Sequence, residues 1–503
     1  MLDGLTHLAG AFATFANAAT LLNVIWATLI GIVIGALPGL TATMGVALLT
    51  TLTYKMAPEQ ALLVLISVYV GAIYGGSRSA ILLNIPGTPA NAATTLDGFP
   101  LARKGLAGEA MGLATSASVV GTMIGVLFLA AIAPLLAEFA LSFGSYEYFW
   151  LAIFGVVIAG HMTSFEDALK GWIAGFLGLL VAMIGQEGIH AVDRFSFGTA
   201  ELSGGIGLIP ALVGAFGLAE VMAVMKGRAA EMATKAVDRV VPSLRTMWHY
   251  KRTIARSGLI GTIVGIIPGV GEDIGAWISY AAARRASKEQ ELFGKGSKEG
   301  LIAAETGNNA AIPGALIPAL TLAIPGSAPA AVLLAAMFIH GIRPGPLIMI
   351  EAPDFVFQVV WMVVLATIAM GILGIALTRP LLTILRVPRE RLMPIVFVLC
   401  VIGPYAITQR LFDVYVMVFF GLLGFALREM KYPMAPLVLG IILGDILDKN
   451  LRRALVLADG DLTPFFTRPI SAVLWITTLL IILFALPPVR RAATRLMRWD
   501  AAP

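Results

Sequence analysis

The stretch Gly31-x3-Gly35-x2-Pro38-Gly39-x5-Gly45 recurs as Gly261-x3-Gly265-x2-Pro268-Gly269-x5-Gly275. Further along, Ile85-Pro86-Gly87-Thr88 is echoed by Ile324-Pro325-Gly326-Ser327. A third echo, in the same order, relates Asp167, Gly175 and Gly178 to Asp413, Gly421 and Gly424. Repetition in a fixed order predicts an internal duplication. Because Pro lacks an amide donor and Gly tolerates non-helical torsions, the Pro-Gly pairs predict helices that are broken at equivalent places.

Apolar sequence surrounds these motifs. The chain of 503 residues is 58% hydrophobic and 13% charged, with a mean hydropathy of +0.88, whereas a soluble domain carries about 25% charged residues. So few solvated groups cannot cover a water-facing surface, so the lipid bilayer must be the solvent for most of the chain. We predict an all-α polytopic membrane protein with about ten to thirteen transmembrane helices, some of them broken or re-entrant.

Residues 226–256 form the one long polar stretch. By the positive-inside rule this stretch is cytoplasmic, since it holds Lys226, Arg228, Lys235, Arg239, Arg245, Lys251, Arg252 and Arg256 against Glu231 and Asp238. The net charge of +5 therefore belongs to loops, and no nucleic-acid partner is expected. The predicted divisions are a first membrane repeat over 1–226, a basic cytoplasmic linker over 227–256, a second membrane repeat over 257–452, and a terminal helix with a basic tail over 453–503.

The loops favour an inverted relation between the repeats. The loop after the first broken element carries only Lys55, whereas its partner carries Arg284, Arg285, Lys288, Lys295 and Lys298. Equivalent loops of inverted repeats face opposite sides of the membrane and should differ in this way. Basic residues then flank 257–283 at both ends. This segment is either a hairpin that turns at Pro268-Gly269 or one broken span.

Polar side chains accompany the breaks and predict a ligand site. Opened backbone inside a membrane is tolerated where it lines a wet cavity, where helix N-termini suit an anion and freed carbonyls suit a cation. The predicted substrate-binding residues are Ser77, Arg78, Asn84, Gly87, Thr88, Asn91, Asn308, Asn309, Gly326 and Ser327. The predicted cation-coupling residues are Pro38, Gly39, Thr41, Pro268, Gly269, Asp273 and Glu305.

Several of these residues have a plainer interpretation. Arg78 either pairs a substrate carboxylate or extends from a helix end to the membrane surface. Asn308-Asn309 either contacts ligand or joins helices by hydrogen bonds. Glu272-Asp273 either binds a proton or Na⁺ or is a pair of solvated loop acids.

Signatures of catalysis are absent from the sequence. The five His residues are isolated, and there is no phosphate-binding Gly-x4-Gly-Lys-Ser/Thr motif. We therefore expect no enzyme, no catalytic residue, no bound metal and no cofactor other than a coupling ion, Na⁺ or H⁺. A primary pump is disfavoured, which leaves ion-gradient coupling or passive conduction.

The motifs resemble the large membrane subunit of the tripartite tricarboxylate transporters. The resemblance is carried by Gly75-Gly76-Ser77 through Asp97-Gly98-Phe99-Pro100, by the Pro38-Gly39 break, and by Gly294-x-Gly296-x-x-Glu299-Gly300 leading to Glu305 and Asn308-Asn309-Ala310. It covers about residues 20–450. The sequence departs from the family at Thr306-Gly307, where two alanines are expected after the Glu, and Arg78 stands at a variable position.

That resemblance implies a multi-pass secondary transporter of the bacterial inner membrane, driven by Na⁺ or H⁺. It also implies small carboxylate substrates of the tricarboxylate or dicarboxylate class. The implied partners are a small membrane subunit with four spans and a periplasmic substrate-binding protein. The alternatives are a stand-alone anion carrier or a channel, neither of which uses a binding protein. A membrane-embedded enzyme would need an intramembrane nucleophile and base, which the sequence lacks.

Overall fold

A computed structural model describes residues 2–37, 39–163, 167–226, 244–378 and 391–485 of the chain. These residues are almost entirely helical. A two-residue antiparallel strand pair, β1 (Gly185–Gln186) and β2 (Asp193–Arg194), interrupts the helices. The predicted all-α class is confirmed, and this small hairpin is an addition that the sequence did not suggest.

Six helical segments of the described chain, some of them made of more than one helix, are long and apolar enough to cross a membrane, by length and composition. They are Ala18–Ala36, Pro58–Leu83, Pro89–Ala140, Leu208–Lys226, Pro353–Ala376 and Leu411–Glu429. Shorter apolar helices accompany them at Ala42–Thr53, Ala168–Ala182, Ala328–Ile339, Met393–Thr408 and Pro469–Ala485. A helix rises about 1.5 Å per residue, so roughly 20 residues match the hydrocarbon thickness. The prediction of a polytopic membrane protein is confirmed.

The chain forms two compact units, Met1–Ala140 with Gly207–Ala426, and Leu141–Ile206 with Leu427–Pro503. Each unit draws on both halves of the chain. Part of the predicted linker, 227–243, lies outside the described residues, and the domain boundaries predicted from the sequence stay a prediction.

The first unit contains the two sets of helices that carry the repeated motifs. The first set is α2 (Ala18–Ala36), α3 (Ala42–Thr53), α4 (Pro58–Leu83), α5 (Ala92–Leu101) and α6 (Ala107–Ala140). The second set is α13 (Lys251–Ile266), α14 (Gly271–Ala286), α15 (Lys298–Leu322), α16 (Ala328–Ile339) and α18 (Pro353–Ala376). The other described helices of this unit are α1 (Leu2–Phe15), α10 (Leu208–Leu212), α11 (Ala219–Lys226), α12 (Leu244–His249), α17 (Ile348–Glu351), α19 (Met393–Thr408) and α20 (Leu411–Glu429), the last of which ends just past the unit boundary.

The second unit comprises α7 (Ser145–Thr163), α8 (Ala168–Ala182), α9 (Ala200–Ser203), α21 (Met434–Leu457), α22 (Thr463–Thr467) and α23 (Pro469–Ala485). Helix α21 packs against both α7 and α8. In the loop between α8 and α9, the Glu187 carboxylate accepts the backbone N–H of His190 and that of Ile189 (2.9 Å), and Arg452 lies 3.2 Å away. These contacts hold the pKa of Glu187 below its usual value.

Helices α2 and α4 run parallel in close contact. A Cβ placed on Gly31 would lie 2.5 Å from the Val68 carbonyl oxygen, and one on Gly35 would lie 1.9 Å from that of Ala72. From the first contact to the second, the position moves four residues towards the C-terminus on both helices, so the two helices run in the same direction. The second set repeats this pattern between α13 and α15. A Cβ on Gly261 would lie 2.1 Å from the Gly307 carbonyl oxygen, and one on Gly265 would lie 2.5 Å from that of Ala311. Small residues permit such backbone approach between membrane helices.

Helices α13 and α14 form an antiparallel hairpin. The Ser279 hydroxyl donates to the Ser257 carbonyl (3.3 Å), and a Cβ on Gly275 would lie 3.7 Å from the Cα of Gly261. Residues later in α14 therefore meet residues earlier in α13. Of the two alternatives that the sequence left open for 257–283, the structure forms the hairpin, with Pro268-Gly269 at its turn.

The contacts of α6 fix the relation between the repeats. Helix α6 is antiparallel to α4: Tyr74 shares a hydrogen bond with Thr115 (2.8 Å), and Arg78, one turn further along α4, donates to Thr115 (2.7 Å) and also reaches the carbonyl of the earlier residue Met111 (3.5 Å). It is parallel to α15, because a Cβ on Gly121 would lie 2.5 Å from the Thr306 carbonyl and one on Gly125 would lie 2.5 Å from that of Ala310. The equivalent helices α4 and α15 therefore run in opposite directions. The predicted inversion of the repeats is confirmed.

We expect Gly35→Ala to destabilise the protein, because the added methyl group would meet backbone rather than a movable side chain. Overpacking of this kind costs about 1–3 kcal/mol. The measurement is the thermal unfolding midpoint of the purified protein in detergent. Gly10→Ala is the matched control, since a Cβ there meets nothing within 4 Å. Equal midpoints for the two variants would contradict the tight α2–α4 contact.

Candidate functional site

Two backbone breaks follow α4 and α15, and we call residues 85–91 the first tip and residues 324–330 the second tip. Before each tip the helix ends in a left-handed residue, Asn84 (φ 56°) or Ala323 (φ 56°). Each tip then folds back on its own helix, with Gly87 N–H donating to the Gly76 carbonyl and Gly326 N–H donating to that of Ala315, both at 3.3 Å. The predicted breaks are thus present at equivalent positions.

Both tips need glycine because their backbone lies directly against the backbone of α2 or α13. A Cβ on Gly87 would lie 1.9 Å from the Gly35 carbonyl oxygen, and one on Gly326 would lie 2.1 Å from that of Gly265. The turns that follow α2 and α13 also contain glycine in a left-handed conformation, since Gly39 has φ 97° and Gly269 has φ 72°. These four glycines shape the backbone around the site.

Each tip also contacts the opposite repeat. The Asn308 amide, on α15, donates to the Ala90 carbonyl of the first tip (3.3 Å). Tyr69, the equivalent residue on α4, shares a hydrogen bond with Ser327 of the second tip (2.8 Å). The two tips are therefore tied into one buried core by reciprocal polar contacts.

A buried carboxylate, Glu305, is the centre of the cluster beside the first tip. Its Oε1 accepts from Thr94 Oγ1 (2.5 Å) and from Asn91 Nδ2 (3.5 Å), and its Oε2 accepts from Ser118 Oγ (3.0 Å). Within the tip, Thr88 Oγ1 donates to Asn91 Oδ1 (2.6 Å). Since all the surrounding groups donate, this shell suits an ionised carboxylate.

Asn309 presents an acceptor to the cluster. Its amide Nδ2 lies 3.0 Å from Ser118 Oγ, 3.0 Å from the Glu305 carbonyl and 2.5 Å from Asn308 Oδ1. Its Oδ1 is buried with no hydrogen-bond partner. Because a buried polar atom without a partner is costly, this oxygen is a candidate for contact with a ligand.

Arg78 is buried, with only 1% of its surface exposed, so it does not extend to the membrane surface. Its Nη2 donates to Thr115 Oγ1 (2.7 Å) and to the Gly374 carbonyl (3.1 Å), and its guanidinium lies 4.7 Å from the ring centre of Tyr74. Its Nε has no hydrogen-bond partner. Among the described residues, Glu305 is the acid whose charge acts on it.

The remaining predicted residues are more scattered. Ser77 is buried and donates to its own helix at Tyr74 O (2.7 Å). Asn84 is exposed as the C-cap of α4. Thr41 is the N-cap of α3, where it accepts from Met44 N–H (3.2 Å).

The acids and prolines of the hairpin turns differ in placement. Pro38 lies outside the described residues, whereas Pro268 is buried at its turn. Asp273 is exposed, while its neighbour Glu272, which the sequence offered only as an alternative, is buried. The structure thus gathers one cluster at the first tip and leaves Asn84, Thr41 and Asp273 outside it.

Four contributors to the core were not named among the predicted site residues: Thr94, Ser118, Thr115 and Tyr69. Hydroxyls in apolar helices are common and carry no motif, so the sequence offered little signal for them. Asp97 also matters, because its Oδ1 accepts the backbone N–H of Gly294, Gly296 and Ser297 at 2.7–2.9 Å. It thereby fixes the start of α15 and, through it, the position of Glu305.

Inverted repeats with paired breaks and a buried polar core define a membrane transporter built from discontinuous helices. Comparison with known families agrees with this class. The family model of the tripartite tricarboxylate transporter TctA family matches residues 21–439, and the chain belongs to that family.

Two relatives come from Agrobacterium vitis. One, described as an uncharacterized 52.8 kDa protein in the TAR-I ttuC' 3'region, is 35% identical over 496 residues, which are 98% of each chain. The other, described as an uncharacterized protein in the TAR-II ttuC' 3'region, is 34% identical over 231 residues, which are 46% of this chain and 96% of the relative. No solved structure matches the chain.

We expect Asn309→Ala to weaken transport strongly while the protein still inserts into the membrane. The change removes the free Oδ1 of Asn309. It also removes the Nδ2 amide group that donates to Ser118 Oγ, the Glu305 carbonyl and Asn308 Oδ1. Loss of one buried polar partner costs about 1–3 kcal/mol, or roughly 5- to 150-fold in affinity. The measurement is the concentration dependence of uptake of a radiolabelled tricarboxylate by cells.

Asn450→Ala in the second unit is the matched control, because Asn450 donates only to Ile446 of its own helix (2.8 Å). Asn308→Ala should behave like Asn309→Ala. Wild-type kinetics in both Asn308 and Asn309 variants would remove them from the site.

Proposed function

We propose that this chain is the large transmembrane subunit of a cation-coupled uptake transporter for small carboxylates of the tricarboxylate or dicarboxylate class. The observation that carries the proposal is the buried cluster of Glu305, Asn308 and Asn309 at the first tip, inside the region that matches the family. We place the protein in the bacterial inner membrane. Membership of a tripartite family implies other subunits.

The charges around the first tip support an anionic substrate. Arg78 is a buried guanidinium whose Nε is not engaged, and Arg is suited to carboxylates because it can donate two parallel hydrogen bonds. The negative charge of Glu305 is already met by three donors. An entering carboxylate would therefore meet the free Nε of Arg78 and exchange its hydration for buried donors.

Coupling to Na⁺ or H⁺ fits the same core. A carboxylate entering a buried site carries a charge that is costly in a low-dielectric surrounding. A cation that enters with it lowers that cost, and opened backbone at paired breaks supplies carbonyl oxygens for it. The chain shows no motif for nucleotide binding, so an ion gradient is the energy source we propose.

The partners we propose are a small membrane subunit with four spans and a periplasmic protein that delivers the substrate. The rival functions are a stand-alone anion carrier and a channel. A stand-alone carrier would saturate without any partner, and a channel would conduct without saturating.

The test is uptake of radiolabelled citrate and of a dicarboxylate into vesicles that contain the full chain and its membrane partner, with an imposed Na⁺ or H⁺ gradient. We expect saturable uptake that needs both the gradient and the added periplasmic protein. Vesicles without the gradient are the control for passive leak. Saturable uptake without the periplasmic protein would favour the stand-alone carrier, and non-saturating flux would favour the channel.

A separate prediction concerns orientation. A protease site inserted within 228–252 should be cut only from the cytoplasmic side, because this stretch is rich in Lys and Arg. The measurement compares cleavage in intact spheroplasts with cleavage in inverted vesicles. Cutting in intact spheroplasts would reverse the orientation and the side on which a periplasmic protein could dock.

A further inference from the structure

Glu272 is a second buried carboxylate, on the first turn of α14. Only 2% of its surface is exposed, and its Oε1 has no hydrogen-bond partner. No Lys or Arg among the described residues forms an ion pair with it. We infer that Glu272, with Ser327 and Tyr69, binds a Na⁺ ion at the second tip. This inference rests on the proposed function and names the site at which its coupling cation binds.

Oxygen atoms from both repeats meet at this point. Glycine at position 271 lets α14 approach the second tip, since a Cβ there would lie 2.5 Å from the Cβ of Ser327. The Ser327 hydroxyl lies near the Glu272 carboxylate and 2.8 Å from the Tyr69 hydroxyl. The Gly326 carbonyl oxygen lies 3.5 Å from the same Cβ position. One carboxylate, two hydroxyls and a tip carbonyl are thus close together.

The electrostatic setting favours a charged Glu272 with a bound cation. The N-terminal turn of a helix stabilises a negative side chain, and the exposed neighbour Asp273 adds further negative charge nearby. An ionised carboxylate that is buried without a counter-charge is unfavourable. A cation on the free Oε1 would satisfy that oxygen and balance the charge together.

Comparison with Glu305 shows why Glu272 is the stronger candidate for the cation. Both oxygens of Glu305 already accept from hydroxyl or amide donors, and Arg78 is its charged neighbour. A cation there would have to displace these donors and would be repelled by the guanidinium. Glu272 has a free oxygen, and no Lys or Arg of the described ranges forms an ion pair with it.

The ligand set points to Na⁺ rather than to a divalent metal or a proton. Within the described ranges, no group of three or more His, Cys, Asp or Glu side chains is placed to hold a metal ion. A single carboxylate with neutral oxygens balances one positive charge. A proton would need only one oxygen and would make no use of the hydroxyls of Ser327 and Tyr69. The equivalent position in the first repeat is Ala42, so the site belongs to one tip.

The test is binding of radioactive Na⁺ to the purified full-length chain in detergent, without substrate. We expect saturable binding to the wild-type protein. Because the charged ligand is lost, Glu272→Gln should weaken it about tenfold or more. Asp445→Asn, which changes an exposed carboxylate of the second unit, is the matched control and should bind Na⁺ as the wild type does. Ser327→Ala and Tyr69→Phe should each weaken binding and keep the carboxylate.

No saturable Na⁺ binding to the folded wild-type chain, or unchanged affinity in a folded Glu272→Gln, would overturn the inference. Should Glu272→Gln fail to fold, Ser327→Ala decides, and wild-type affinity in that variant would equally overturn it. Since binding is measured without transport, Na⁺ binding that depends on Glu272 would stand even where carboxylate uptake fails.

Discussion

The rest of the core depends on backbone contact at Gly35 and at its counterpart Gly265. A Cβ on Gly35 would meet the Ala72 carbonyl of α4, while the Gly35 carbonyl itself is the atom that a Cβ on Gly87 would strike. Gly265 stands in the same relation to Ala311 and Gly326. One glycine therefore joins a hairpin, a long helix and a tip. Because all of these contacts are between backbones, the geometry of each tip is fixed before any polar side chain is considered.

Because the repeats are inverted, helix α6 lies between a charged side chain of the first repeat and one of the second. Helix α6 offers Thr115 to Arg78 of α4, and Ser118 to Glu305 of α15. Residues three apart share a helix face, so these two hydroxyls form one polar stripe on α6. This stripe joins a guanidinium of the first repeat to a carboxylate of the second. In this structure α4 and α15 lie antiparallel on the two sides of this stripe.

Much of this could be predicted from the sequence, because Pro, Gly and repeated spacing act locally. The breaks near Gly87 and Gly326 follow from such signals, and the inversion follows from the unequal Lys and Arg content of equivalent loops. Placement of acids did not follow. Which of Glu272 and Asp273 is buried depends on where α14 begins, and that is set by the left-handed conformation of Gly271 (φ 56°), a torsion that the sequence does not reveal. Similarly, the sequence does not reveal that Asn84 is exposed at the C-cap of α4.

The two tips share a backbone plan but differ in chemistry at equivalent positions. Where the first repeat has Tyr69, the second has Asn308, and each bonds the tip of the other repeat. Where the first repeat has Ala42, the second has Glu272. A duplicated scaffold supplies two similar openings, and such substitutions give them different charge. The cation-coupled transport that we propose needs two neighbouring sites of opposite charge preference, and a duplicated fold reaches that state by changing side chains alone.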